Sequence, residues 1–395
     1  MKRFFSYTIL SFFLLLLPTG QASANNNDSI RLSLLTCAPG EEIYSLFGHT
    51  AIRYENSSQG IDVVFNYGLF SFNTPNFIFR FSLGETDYQL GATDYERFAA
   101  EYAFFGRSVW QQTLNLTDEE KTKLIQLLQE NYRPENRVYR YNFFYDNCAT
   151  RPRDKIEESI AGKVVYPAEP QDGSLTFRDI VHQYCKGHPW ARFGIDLCIG
   201  SEADQPITQR QMMFAPFYLM DAFDGAQIKG DSIQRPLITA NELVVDATPE
   251  PDESDWMPTP LQCSLLLFIL TAAATIYGIR RRTGLWGIDL FLFGIAGIVG
   301  CVLAFLALFS QHPAVSSNFL LLVFHPGQLL LLPYIIYCVR KGKKCWYLTL
   351  NLVVLTLFIV LFPVIPQRFD FAVVPLALVL LIRSASNLIV TSKKK

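Results

Sequence analysis

The stretch Tyr139-Arg-Tyr-Asn-Phe-Phe-Tyr-Asp-Asn-Cys148-Ala-Thr-Arg-Pro-Arg153 joins an aromatic, strand-like run to a thiol followed by two arginines. A nucleophilic thiol needs a base to take its proton and surroundings that favour the thiolate. Arg151 and Arg153 are the nearest cations, and Asn147 directly precedes the sulfur. A helix opening at Cys148 would add its N-terminal dipole. Pro152 moves the expected helix start to 151 or 152 and weakens that contribution. Spacing alone leaves Cys148 equally readable as a small buried side chain.

Working outward, the nearest base is His49 in Phe47-Gly-His-Thr-Ala-Ile-Arg53. Gly48 allows close approach of a backbone or substrate, and His49 opens a predicted strand that would hold its ring rigidly. His49-Thr-Ala-Ile-Arg-Tyr54 and Ile61-Asp-Val-Val-Phe-Asn-Tyr67 read as two strands joined by Asn56–Gly60. Asn66 and Asp62 share one face of the second strand by period-two alternation. Either can set the imidazole tautomer, and either can be an ordinary edge polar residue. The other histidines before the apolar half, His182 and His188, lie in a loop-like region with Gly187 and Pro189.

Around these strands, Thr93-Asp-Tyr-Glu96 and Thr117-Asp-Glu-Glu120 read as capping boxes that open helices. Residues 107–116 and 137–145 read as strands, and 154–160, 175–184 and 212–223 as helices. The exported part is therefore expected to be an α+β domain. It has no Gly-x-Ser-x-Gly elbow, no His-Glu-x-x-His, no Cys-x-x-Cys and no phosphate-binding glycine loop. No metal and no cofactor are implied. Cys185 and Cys198 are close enough in sequence for a disulfide in an oxidising compartment.

Charge divides the chain. Residues 25–260 carry 34 acids and 20 Lys plus Arg, net −14, whereas residues 261–395 carry 2 acids and 12 Lys plus Arg, net +10. An acidic front half excludes a nucleic-acid surface built on clustered cations. Lys2-Arg3, the apolar run from Phe4 to Leu17 and Ala22-Ser-Ala24 form an export signal over 1–24. The domain of 25–246 follows, then a Pro-rich acidic linker over 247–260. Five apolar spans come next, about 261–279, 285–309, 319–339, 346–365 and 371–390, then a basic tail over 391–395. Arg280-Arg-Arg282, Arg340-Lys-Gly-Lys-Lys344 and Lys393-Lys-Lys395 alternate with the basic-poor loops 310–318 and 366–370. The positive-inside rule puts the front domain outside the cytoplasm and the C-terminus inside. His325, beside Pro326 in the third span, is an intramembrane candidate on the lipid side, equally readable as a hydrogen bond at a proline kink. Asp289, near a cytoplasmic end, is expected to snorkel.

Gly48-His49 on an early strand, followed much later by Asn147-Cys148, resembles the circularly permuted papain-like (NlpC/P60-type) fold. Lecithin:retinol acyltransferase-like proteins share the order and the Asn-Cys. More specifically, the chain resembles the Lnb family of lipoprotein N-acyltransferases. The likeness rests on Leu35-Thr-Cys-Ala-Pro-Gly40, Phe47–Arg53, Phe65-Asn-Tyr-Gly68, Tyr139–Arg153 and Pro189-Trp-Ala-Arg-Phe-Gly194, and the five-span half also fits that family's plan. It implies Cys148 as the acyl-accepting nucleophile and His49 as general base. It also implies a phospholipid acyl donor, a lipid-modified lipoprotein acceptor and an inner-membrane setting with a periplasmic front domain. The same Cys and His with water as acceptor would make a cell-wall cysteine peptidase or amidase, and a non-catalytic membrane receptor or assembly module is the third class. Five spans are more than a peptidase needs as an anchor.

Overall fold

The computed structural model describes residues 29–71, 73, 75–167, 175–230, 234–247 and 257–392. The expected export signal, most of the linker and Lys393–Lys395 lie outside them. Ten strands are β1 Ile30–Cys37, β2 His49–Asn56, β3 Ile61–Leu69, β4 Asp87–Asp94, β5 Val109–Leu114, β6 Val138–Arg140, β7 Lys163–Val165, β8 Gln227–Lys229, β9 Gln234–Pro236 and β10 Ile238–Val245. Seven of them form one antiparallel sheet in the order β10-β5-β1-β2-β3-β4-β6, and β7-β8-β9 form a small second sheet.

Helices of the sheet domain are α1 Phe77–Leu83, α2 Tyr95–Phe104, α3 Asp118–Tyr132, α4 Thr150–Ser159, α5 Phe177–Tyr184, α6 Pro189–Cys198, α7 Gln209–Met212 and α8 Pro216–Asp224. Alternation along β1–β3 sends Leu32, Leu34, Ile52, Phe65 and Tyr67 to one face, where Leu124 and Leu128 of α3, Ile156 of α4 and Leu219 and Phe223 of α8 cover them. The opposite face carries Leu35, Cys37, Ala51 and Val64 under Phe98 of α2. A sheet buried on both faces is a rigid platform.

Local chemistry redraws several expected boundaries. Thr117 caps α3 with its capping box intact. Thr93 instead stays in β4, and α2 starts after Asp94 with no side-chain cap. The strand expected over 137–145 ends at Arg140, because Asn142 and Asp146 exchange two backbone hydrogen bonds and Asn142 Oδ1 accepts from Tyr145 N–H. The helix expected over 212–223 splits into α7 and α8, with Pro216 opening the second.

The apolar half contains α9 Pro260–Arg281, α10 Trp286–Phe309, α11 Gly327–Leu330, α12 Leu332–Lys341, α13 Trp346–Leu361 and α14 Val373–Ser392. Among the described residues, four segments are each long and apolar enough to cross a membrane: α9, α10, Trp346–Val364 and α14. The third expected span is not one helix. A 3-10 turn at Phe319–Leu322 and α11 meet α12 at a bend of 75°. That bend falls at Leu331, and a non-helical stretch over 323–326 separates the 3-10 turn from α11. There His325 backbone lies so close to α10 that a Cβ on Gly300 would sit 2.4 Å from His325 N. His325 Nε2 lies 3.2 Å from Tyr347 Oη.

Asp289 does not snorkel. It is 1% exposed and takes two hydrogen bonds from Arg383, at 2.7 and 3.1 Å, while Arg383 also donates to Thr275. The pair ties α9, α10 and α14 together where an unpaired charge would be costly.

The loops 310–318 and 366–370 dock on the sheet domain. Gly200 N–H donates to Ala314 O (2.7 Å), Ser201 N–H to Ser317 O (2.9 Å) and Gln311 N–H to Leu83 O (2.8 Å). Asn318 donates to Leu197 O (2.7 Å) and Gln367 to Ile199 O (3.2 Å). Arg368 binds Asp204 and Asp179 at 2.9 and 2.5 Å. These are the loops that charge alternation assigns to the side of the exported domain.

Candidate active site

β1 and β2 pair in the register Cys37↔His49, and β2 and β3 in the register Ala51↔Asn66. His49 and Asn66 therefore project from the same face, offset by one pleat. His49 Nε2 lies 3.2 Å from Asn66 Oδ1. With an amide oxygen as acceptor, Nε2 carries the proton and Nδ1 keeps the lone pair. Asp62 sits at the far end of the same hairpin, opposite Glu55. Both its oxygens accept from Arg53, at 2.8 and 2.6 Å, so it does not orient His49.

Gly48 sets the entry to β2. Its φ of 76° suits glycine, and a Cβ there would lie 2.5 Å from Cys37 O.

Cys148 is half-buried just before α4. Asn147 explains its placement: Oδ1 accepts from Ala149 and Thr150 N–H (2.8 and 2.9 Å), and Nδ2 donates to Phe143 O and Phe214 O. Asn147 is thus the buried cap that fixes the thiol at the helix mouth. Pro152 is the third residue of α4, where backbone N–H groups have no intrahelical partner, and so it costs no hydrogen bond. The backbone of Thr50, the residue next to His49, lies near enough to the sulfur to pull the thiol pKa down. Among the described residues, no hydrogen bond joins Cys148 to His49.

The arginines do other work than expected. Arg151 grips Asp146 through two hydrogen bonds, at 2.5 and 2.7 Å, and lies 3.5 Å over the Tyr139 ring. Arg153 donates to Asp154 and to Arg210 O. Neither is the cause of a lowered thiol pKa. Burial pushes the Cys148 thiol up to about 11, with Thr50 backbone and its own backbone pulling the other way. Burial takes His49 down to about 4, helped by the charge of Arg107 and opposed by the Asn66 hydrogen bond. The resting pair is therefore a neutral thiol and a neutral imidazole.

Tyr139 lies beside the thiol, although no motif singles it out. Its hydroxyl is buried and has no hydrogen-bond partner among the described residues. It faces the thiol across Gly68: a Cβ on Gly68 would sit 3.5 Å from Cys148 Cβ and 4.0 Å from Tyr139 Oη. The bare glycine, with φ of 91°, keeps that space open. Thr36 and Thr50, paired directly across β1 and β2, hold two more buried hydroxyls without partners among the described residues. Unpartnered buried donors are uncommon and mark places where another oxygen can be received. No sequence pattern announces them, because satisfaction depends on every neighbour.

Two family models match this chain: the Lnb N-terminal periplasmic domain over residues 20–182, and the Lnb transmembrane domain over residues 252–395. The chain belongs to the Lnb family. No curated protein and no solved structure matches it. The Lnb N-terminal match contains His49, Asn66, Tyr139 and Cys148, and the Lnb transmembrane match contains all the membrane-length helices and the broken pair.

The remaining candidates of this Lnb chain lie elsewhere. Cys185 and Cys198 are both free thiols, so the expected disulfide is absent. His182 Nε2 is held by both Asp196 oxygens at 2.9 Å, on a cleft of about 500 Å³ between α5, α6 and Asp370. His188 faces Glu41 at 3.6 Å. Among the described residues, no group of three or more His, Cys, Asp or Glu could hold a metal ion.

These groups make a pH prediction. If His49 is the general base it must be neutral to accept a proton, and kcat/KM is then lost as pH falls through about 4, not through 6.5. Alkylation of Cys148 by iodoacetamide is slow at pH 7 and rises towards about 11. A pH–rate profile with an acid limb near 6.5, or fast alkylation at neutral pH, would contradict the neutral pair.

Proposed function

We propose that this Lnb protein is a thiol acyltransferase. It moves an acyl chain from a phospholipid to the N-terminal amine of diacylglyceryl-Cys lipoproteins at the outer face of the inner membrane, with its C-terminus cytoplasmic. The observation that carries the reading is the Asn66-held imidazole, proton on Nε2, one residue from Thr50, whose backbone pulls the Cys148 thiol pKa down. The early-His, late-Cys order on an antiparallel sheet is also what a permuted papain-like fold requires.

In the first half-reaction His49 Nδ1 takes the Cys148 proton as sulfur attacks the ester carbonyl. The carbonyl oxygen becomes an oxyanion, for which Tyr139 Oη–H and the backbone N–H of Cys148 itself are the donors, since Asn147 takes those of Ala149 and Thr150. Collapse breaks the acyl C–O bond. The lysophospholipid oxygen leaves with the proton from His49, and a Cys148 thioester remains. In the second half-reaction the lipoprotein amine attacks the thioester and gives its proton to His49. The C–S bond breaks, sulfur recovers that proton, and an amide is released. Burial suits this scheme, since proton transfer accompanies attack and no buried thiolate waits at rest. Both substrates are bilayer-anchored, so an anchored enzyme meets them at raised effective concentration.

The test is to incubate the full-length protein with phospholipid and no acceptor, then measure its intact mass. A hydroxylamine-labile adduct of one acyl chain on Cys148 is expected. Turnover of the donor with no such adduct on Cys148, even on rapid quenching, would overturn the two-step scheme.

A further inference from the structure

We infer that α1 lies in the outer leaflet as an in-plane helix, so that a phospholipid bilayer is the partner of the apolar surface leading to Cys148. The sequence Phe77-Ile-Phe-Arg-Phe-Ser-Leu83 has no acid, and Arg80 is paired with Asp87. None of its residues is buried: Ile78 is 80% exposed, Phe79 58% and Phe81 45%. A helix with that composition on a water-facing surface would be a liability, whereas one at a membrane surface buries its apolar side among lipids.

What covers this face follows from its attachment. The Phe79 ring lies 5.9 Å from Phe305 of α10, Gln311 N–H donates to Leu83 O, and His312 Nε2 meets Phe81 O at 2.6 Å. Gly84, with φ of 72°, lets the chain press against His312, where a Cβ would lie 2.9 Å from its nitrogen. The exposed face of α1 is therefore continuous with the exposed end of α10, where Leu308 is 74% and Phe309 64% exposed. That end belongs to a helix of membrane length, so the same lipid covers both.

The surface continues inward. Phe77 stacks on Phe70, which touches Tyr44 on one side and Tyr88 on the other, and Tyr88 stacks on Tyr141 at 4.2 Å. Burial raises the Tyr88 and Tyr141 phenols, a charge on Cys148 would raise them further, and Tyr141 lies seven residues before the thiol in the chain. An acyl chain leaving the leaflet beside α1 has an aromatic path to the thiol. That last step rests on the acyl-transfer reading, but the seating of α1 does not.

The test uses the full chain in phosphatidylethanolamine/phosphatidylglycerol nanodiscs, with a photoreactive phenylalanine at Ile78, Phe79 or, as control, Ser58 at the opposite end of β2. Phospholipid-mass adducts are expected from 78 and 79 and not from 58. Adducts to a second polypeptide, no lipid adduct at 78 and 79, or equal lipid labelling at 58 would overturn the placement. The labelling is repeated in Cys148→Ala. Lipid adducts without any acyl-enzyme in the parent protein sink the catalytic reading alone, and an acyl-enzyme without lipid adducts sinks this one alone.

Discussion

Cys148→Ala will form no acyl-enzyme and transfer no acyl chain, and His49→Ala will lose about 10³-fold or more in kcat/KM, the range of a lost general base. Asn66→Ala will lose about 10- to 100-fold, because the ring then loses the acceptor that fixes its tautomer. Tyr139→Phe will fall in a similar range with little change in folding, since its hydroxyl has no partner among the described residues to lose. Asp62→Asn will stay within about threefold, because that carboxylate serves Arg53. The order of the series matters more than its absolute values. An Asp62 variant weaker than the Asn66 variant would mean that the β2–β3 register does not orient the imidazole.

The largest structural effect will come from Arg178. Its side chain is fully buried and binds Asp196, Asp204 and the carbonyls of Ile199 and Gly200. Arg178→Ala takes the shared buried cation from the Asp196 and Asp204 carboxylates, which costs about 3–5 kcal/mol. Asp204 is shared with Arg368 from the loop before α14, so the same variant also loosens the docking of the sheet domain on the membrane helices. The sheet domain should melt about 10 °C lower and become protease-sensitive near residues 199–204. Arg31→Ala, at an exposed pair with Glu55, should shift melting by only a degree or two. Similar melting of the two variants would contradict the role given to Arg178.

Much of this was legible in the chain. β-Branched and aromatic runs over 49–54 and 61–67, joined by the turn residues 56–60, were enough for the hairpin, and hydropathy with basic loops was enough for the membrane half. Period two could not choose between Asn66 and Asp62, because both occupy one face. Only the register, with Ala51 opposite Asn66, separates them. Arg151 and Arg153 looked like thiolate partners by spacing, yet Asp146 and the Tyr139 ring claim one, and Asp154 and Arg210 O the other. Proline misled in one place and informed in another. Pro152 is harmless in the first turn of α4, whereas Pro326 caps α11 after a non-helical interruption that hydropathy averaged over. The orphan hydroxyl of Tyr139 had no sequence signal at all.

The most direct measurement is the mass of mature lipoprotein N-termini from cells whose only copy of this protein is Cys148→Ser. The account predicts diacylglyceryl-Cys with a free α-amine and an intact membrane-inserted enzyme. N-acylated termini at the parental level would contradict it.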